Sequence, residues 1–383
     1  MGRFLFVTPP LVGHVNPAVG VAAALTARGH RVAWAGQPEI IRRLAGDDAE
    51  VFPCAVPDDV PERDASLKGP AAFRFLWEEF LIPLAEAMAP GVRAAIGRFR
   101  PQVVVADQQA IAGGLVADGL GLTWVTSATT SAELVDPLAG MPKVVAWLDD
   151  LLDGLRARID GGPADPRMSP HGVLAFTTRE LLGPATLPSR VRLVGPSIGG
   201  RAATGEFPWE WLDPAVPTVL VTLGTANADA AGDFLNAAAK GLSRVDGIRT
   251  VIADPSGCVG SVGSTGDQVL VVPQVPQMAL LERVDAVVCH AGHNTVCESL
   301  WHGVPLVVAP IRDDQPIVAG QVVDAGAGIR LRFGRAKPDR VADAVTRVLD
   351  EPAYRAAAEK VGASFRTAGG AATAADHLEN LLA

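Results

Sequence analysis

At 383 residues the chain exceeds what one hydrophobic core usually supports, roughly 250 to 300 residues, so two domains are expected. A hydrophobic content of 49% against 20% charged excludes an intrinsically disordered chain. The net charge of −9 argues against a nucleic-acid partner, and with no apolar run long enough to cross a bilayer no membrane partner is expected either.

The first apolar run, residues 4–7, is short, rich in β-formers and stopped by Pro9 and Pro10, so it reads as a first strand and not as a secretory signal. Further apolar runs at 31–35, 103–106 and 123–126 alternate with alanine-rich helical stretches at 18–28 and 108–118. That is βαβ punctuation and predicts a parallel sheet covered on both faces. A second series follows at 218–223, 248–253, 269–272, 286–289 and 306–309. Two Rossmann-like α/β domains in tandem are the simplest reading, 1–198 and 217–366, joined by a Gly- and Pro-rich linker at 199–216 that carries Trp209 and Trp211. Segment 367–383 holds a final helix, read over 371–383. No GxGxxG follows the first strand, which disfavours a nicotinamide-dependent dehydrogenase. The four cysteines, Cys54, Cys258, Cys289 and Cys297, show no C-x-x-C spacing and suit a reducing compartment, so a cytoplasmic protein is expected.

Between the first strand and the first helix lies Gly13-His14-Val15-Asn16-Pro17, with Asn16 predicted as N-cap and Pro17 as the first helical residue. His14 then sits at a positive helix end, where the neutral ring is favoured and can act as a general base. Asp107 ends the strand VVVAD on the same sheet edge, in reach of the far ring nitrogen. Taken singly, His14 also reads as a buried loop histidine and Asp107 as a helix cap. Phe73, Phe75, Trp77 and Phe80, with Trp147, form an aromatic-rich set that reads either as an apolar ligand wall or as helix core.

The richest stretch runs from Gln274 to Gln321. Residues 286–289 are an apolar strand, Gly292 permits a tight turn, and Asn294 and Thr295 open a helix whose first N–H groups attract anions without a lysine cluster. His290 is placed to donate to a phosphate oxygen. Glu298 stands three residues after Thr295, which also spells a capping box. Asp314 and Gln315 follow the strand LVVAP, where an acidic acceptor and an amide can hold two adjacent hydroxyls, although a solvated loop reads equally from the residues alone. Cys289, His290, His293 and Cys297 imitate a zinc set, but adjacent strand residues point to opposite faces, and no two aspartates stand two apart, so no metal is expected.

Pro276-Gln277, thirteen residues to His290, eight more to Glu298 and sixteen more to Asp314-Gln315 resembles the nucleotide-sugar signature of family 1 glycosyltransferases, over essentially the whole chain. The resemblance to bacterial natural-product members implies the GT-B fold, two Rossmann-like domains facing each other across a deep cleft, with acceptor bound by 1–198 and donor by 217–366. It implies a final helix crossing back to the first domain, and a His14–Asp107 catalytic dyad. Thr295 and the Gly224-Thr225 pair fall to the diphosphate, Glu298 to the ribose, and Gly13, His290, Gly292, His293 and Asn294 to the same nucleotide-sugar site. Many relatives stack a tryptophan on the base where this chain has Gln274, so base recognition falls to the backbone of Val275, and plant members have tryptophan at the place of His293. The implied reaction is inverting, metal-independent and free of any cofactor beyond the dTDP- or UDP-sugar donor, with an apolar aglycone as acceptor; a homodimer is compatible with it. The competing readings are a nucleotide-sugar epimerase on the same fold and a non-catalytic nucleotide- or aglycone-binding partner protein.

Overall fold

The computed structural model describes residues 1–382 apart from 60, 62, 65, 66, 68, 136, 199–205, 225–230 and 260–267. The chain divides into two compact units, one of Met1–Thr178, Pro184–Arg201 and Ala368–Ala383, the other of Arg179–Gly183 and Ala202–Thr367.

The first unit holds a parallel sheet of seven strands, β1 (Arg3–Val7), β2 (Arg31–Gly36), β3 (Val51–Pro53), β4 (Val103–Asp107), β5 (Trp124–Ala128), β6 (Val173–Ala175) and β7 (Val191–Leu193), in the order β3-β2-β1-β4-β5-β6-β7. Successive side chains of β1 alternate faces: Phe4 and Phe6 enter one core layer and Leu5 and Val7 the other. All four are at most 1% exposed, which is why the strand reads as an unbroken apolar run. Each such burial contributes roughly 1.5 to 3 kcal/mol.

The second unit repeats the plan with β8 (Thr218–Thr222), β9 (Arg249–Ala253), β10 (Val269–Val272), β11 (Ala286–Cys289), β12 (Leu306–Val308) and β13 (Gly328–Arg330), all parallel, in the order β10-β9-β8-β11-β12-β13. Each sheet therefore reverses its strand order once, between β1 and β4 in the first and between β8 and β11 in the second. In open α/β sheets the crevice beyond the carboxyl ends at such a switch point is where ligands bind.

Two helical features of the first unit matter later. The stretch Pro70–Phe99 is 30 residues long and apolar enough by length and composition to cross a membrane, a length of helix that the apolar runs of the sequence do not announce. Leu84, Ala85, Met88, Val92 and Ala95 on it are buried in the core layer that covers β1 and β4. Within it, Leu76–Leu81 is a π-helical turn joining helices Pro70–Phe75 and Ile82–Phe99. The C-terminal helix Ala371–Glu379 packs against the first helix, Val12–Ala27, burying Ala374, Ala375 and Leu378. Arg28 bonds Asp376 and Glu379 at 2.6 Å each. Those ion pairs are partly exposed and contribute little beside the apolar contact.

Candidate active site

In the first unit, Leu11 is extended (φ −127°, ψ 119°) and the helix begins at Val12, so His14 lies in its first turn. The expectation of an Asn16 cap with Pro17 at the first helical position is overturned: Pro17 sits inside the helix, where it forgoes only the bond to the Gly13 carbonyl. Gly13 is the second helical residue and exposed.

The His14 ring meets Asp107 at the carboxyl end of β4, with Nδ1 2.9 Å from Oδ1. A carboxylate only accepts, so Nδ1 carries the proton and Nε2 the lone pair. Thr129, two residues from the register partner of Asp107 on β5, closes a ring: its hydroxyl donates to Asp107 Oδ2 at 2.8 Å and lies 2.8 Å from His14 Nδ1. The Gln109 backbone N–H donates to Asp107 Oδ1 at 2.8 Å. Side-chain exposure is 17% for His14 and 1% for Asp107, so the ring can be reached and its carboxylate cannot. Thr129 is absent from the sequence reading. The only signal was its place just past a buried strand on the same edge.

Of the aromatic set, Trp77 is core, 3% exposed, and Phe73, Phe80 and Trp147 pack against the same core. Phe73 stands 6.2 Å from Trp77 and 6.0 Å from Trp147, ring centre to centre, and the Trp147 indole donates to Glu78 Oε1 at 3.1 Å. Phe75 lies apart, beneath Arg63.

In the second unit, β11 runs into His290, Ala291 and Gly292, and helix His293–Trp301 follows with Gly292 as N-cap. The tight turn is made at Ala291, whose φ is +65°, and not at Gly292, whose φ of −61° suits any residue. Gly292 is required for another reason: a Cβ there would stand 2.4 Å from His290 Nε2. Gly224, past the end of β8, flanks the same ring, where a Cβ would lie 3.0 Å from Cε1, and has φ +68°. Thr225 lies outside the described residues.

His290 is buried, and its pKa is pushed down to about 4 by that burial, reinforced by the Arg312 charge and opposed by the Thr222 backbone. The ring is therefore neutral at pH 7. Arg312, 8% exposed, is a cation of this site that the sequence reading missed; its signal was its place two residues before Asp314 in the loop after β12.

Asn294 and Thr295 fall in the first helical turn, which no side chain caps. The capping box is thus not formed. Glu298 lies one turn further on, 3% exposed, and accepts a hydrogen bond from Gln277 Nε2 at 2.6 Å. Gln277, quoted only for its spacing, is the residue that orients this carboxylate. Gln274 is exposed beside Val275, which packs on the core.

Asp314 stands at the N-cap position of helix Gln315–Asp324 without a side-chain capping bond, after Asp313 has turned the chain with φ +58°. Gln315 Oε1 accepts from the Ile311 and Arg312 backbone N–H groups at 2.9 and 3.1 Å, which leaves its amide NH₂ to donate. The zinc-like residues do not converge. Cys289 is in the apolar core with its thiol pushed up to about 12 by burial, and the Cys297 thiol, also raised by burial, lies 3.5 Å from His293 Nε2.

A family model described as the C-terminal domain of erythromycin biosynthesis protein CIII-like proteins matches residues 238–381. The chain is 28% identical to demethyllactenocin mycarosyltransferase of Streptomyces fradiae over 100% of its own length and 87% of the relative's. Among solved structures, the glycotransferase of kitacinnamycin superposes with a TM-score of 0.80 at 26% identity, covering 100% of this chain and 99% of that one. The glycosyltransferase VinC in complex with dTDP shares the fold with a TM-score of 0.78 at 21% identity, 99% of each chain being covered. Two Rossmann-like sheets and these likenesses agree: the fold is GT-B, and the chain is a glycosyltransferase similar to those of natural-product biosynthesis.

Proposed function

We propose that the enzyme moves a sugar from a dTDP- or UDP-sugar to a hydroxyl of an apolar aglycone, with inversion at the anomeric carbon and without a metal ion. We assign the acceptor to residues 1–198, with Phe73, Phe75, Phe80 and Trp147 as its apolar contacts and Trp77 as their support, and the donor to residues 217–366. The observation that carries the reading is the closed ring of His14, Asp107 and Thr129, which fixes the tautomer of an accessible imidazole. Nε2 of His14 takes the proton of the acceptor hydroxyl as its oxygen attacks the anomeric carbon, and Asp107 stabilises the imidazolium that forms. The bond from that carbon to the diphosphate breaks with its electron pair on the leaving group.

Charge on that leaving group is met by the first turn of helix His293–Trp301, by the Arg312 guanidinium and by an N–H of neutral His290. These donors are what make a divalent ion dispensable. Glu298, held by Gln277, accepts from the ribose hydroxyls, while Asp314 and Gln315 hold the sugar. The dTDP alternative draws on VinC, a protein of the same fold solved with dTDP.

Replacing His14 with Ala is expected to lower turnover by about a hundredfold to ten-thousandfold while dTDP affinity stays within twofold, measured by product formation and by calorimetry. Retained turnover on an aliphatic hydroxyl acceptor would sink the assignment. An acidic phenol or a carbon nucleophile needs less help from a base and would soften the loss.

A further inference from the structure

At the amino edge of the first unit's sheet, opposite to the edge that carries His14, Asp107 and Thr129, lies a pocket of about 330 Å³. It is bounded by the starts of β5, β6 and β7 and by the end of the C-terminal helix. Behind it Val125, Leu174 and Leu378 are sealed in the core, the half-buried Leu381 is its apolar wall, and its polar groups are Arg190, Arg192, His171, His377 and Asn380. Among the described residues no carboxylate lines it, although the chain as a whole carries a net charge of −9. The nearest acids along the helix are engaged elsewhere: Asp376 bonds Arg28, and Glu379 bonds Arg28 and His30. Arg192 is held in place by donating to the Ser189 carbonyl at 2.8 Å. His377 feels that cation, since burial first and the Arg192 charge second push its ring below the ordinary histidine range against the pull of Asp376.

We propose that this pocket is a second small-molecule site, for an organic anion that joins an apolar body to a single phosphate or carboxylate group. Two guanidiniums supply fork-shaped donors for the anionic head, and the half-buried Leu381 packs against the body. The site is independent of the donor and acceptor assignments, because it lies on the other edge of the sheet from the catalytic ring.

The test is calorimetric titration of the full chain with phenyl phosphate in the presence of saturating dTDP, so that the nucleotide site is already filled. One equivalent is expected to bind, and the double variant Arg190→Gln, Arg192→Gln is expected to bind roughly tenfold more weakly or worse with its dTDP affinity unchanged. Both arginines are exposed, and an unchanged thermal unfolding profile reports that the variant is folded. Absence of binding to the parent chain, equal binding by parent and variant, or phenol binding as tightly as phenyl phosphate would each overturn the proposal.

Discussion

At the switch point of the first sheet, three side chains bond one another in a closed ring, each one taking part in two of its three contacts. At the switch point of the second, the shape comes from missing side chains: Gly224 and Gly292 make room for a buried ring, and a helix N-terminus supplies backbone donors. A site made from side chains loses activity one atom at a time. A site made from backbone tolerates the loss of many side chains but not the gain of a single methyl group.

That contrast can be broken most sharply at Asp107. Asp107→Asn removes the acceptor that fixes the His14 tautomer, and kcat is expected to fall by about a thousandfold to ten-thousandfold with dTDP affinity intact; a loss below tenfold would mean the ring does not set the base. Gly292→Ala tests the other half. Its methyl group must displace His290, so dTDP should bind roughly tenfold to a hundredfold more weakly by calorimetry, and an affinity within threefold of the parent would show that the groove has slack.

The second site also holds a titratable ring kept neutral by burial. Its pKa of about 4 lies below the ordinary 6.5, so its contribution to stability is full above pH 6.5 and is lost as pH falls towards 4. Between pH 7.5 and 5, urea unfolding of the parent chain should lose about 2 kcal/mol more than that of His290→Gln; equal losses would place the ring in contact with water. The smallest effect belongs to Thr129→Val, which keeps the shape and deletes the hydroxyl. kcat should drop about tenfold with the acceptor KM unchanged, and a change confined to KM would recast Thr129 as a substrate contact.

The central strands of both sheets were legible because burial on both faces demands unbroken apolar runs, as in Phe4 to Val7 and Ala286 to Cys289. Val51–Pro53, Val173–Ala175, Val191–Leu193 and Gly328–Arg330 were not, since three residues carry no period. His14 and Asp107 announced themselves at a loop and a strand end. Thr129 did not, because only the parallel pairing of β4 with β5 brings it to them. The start of the first helix was misplaced because Asn-Pro is a strong local signal that packing overrode, and the left-handed turn at Ala291 carries no glycine to mark it. Arg312 was passed over because a helix end already accounted for anion binding.

The clasp of Arg28 on Asp376 and Glu379 joins residues about 350 positions apart in the chain. During synthesis every residue of the second unit, Ala202–Thr367 included, has been made before the helix Ala371–Glu379 that completes the first. The unit that begins the chain is thus the last to have all its parts, and closing it costs the loop entropy of everything between. A ribosome stalled just past Thr367 should carry a finished second unit and a first unit whose opening helix still exposes the apolar strip that Ala374, Ala375 and Leu378 cover.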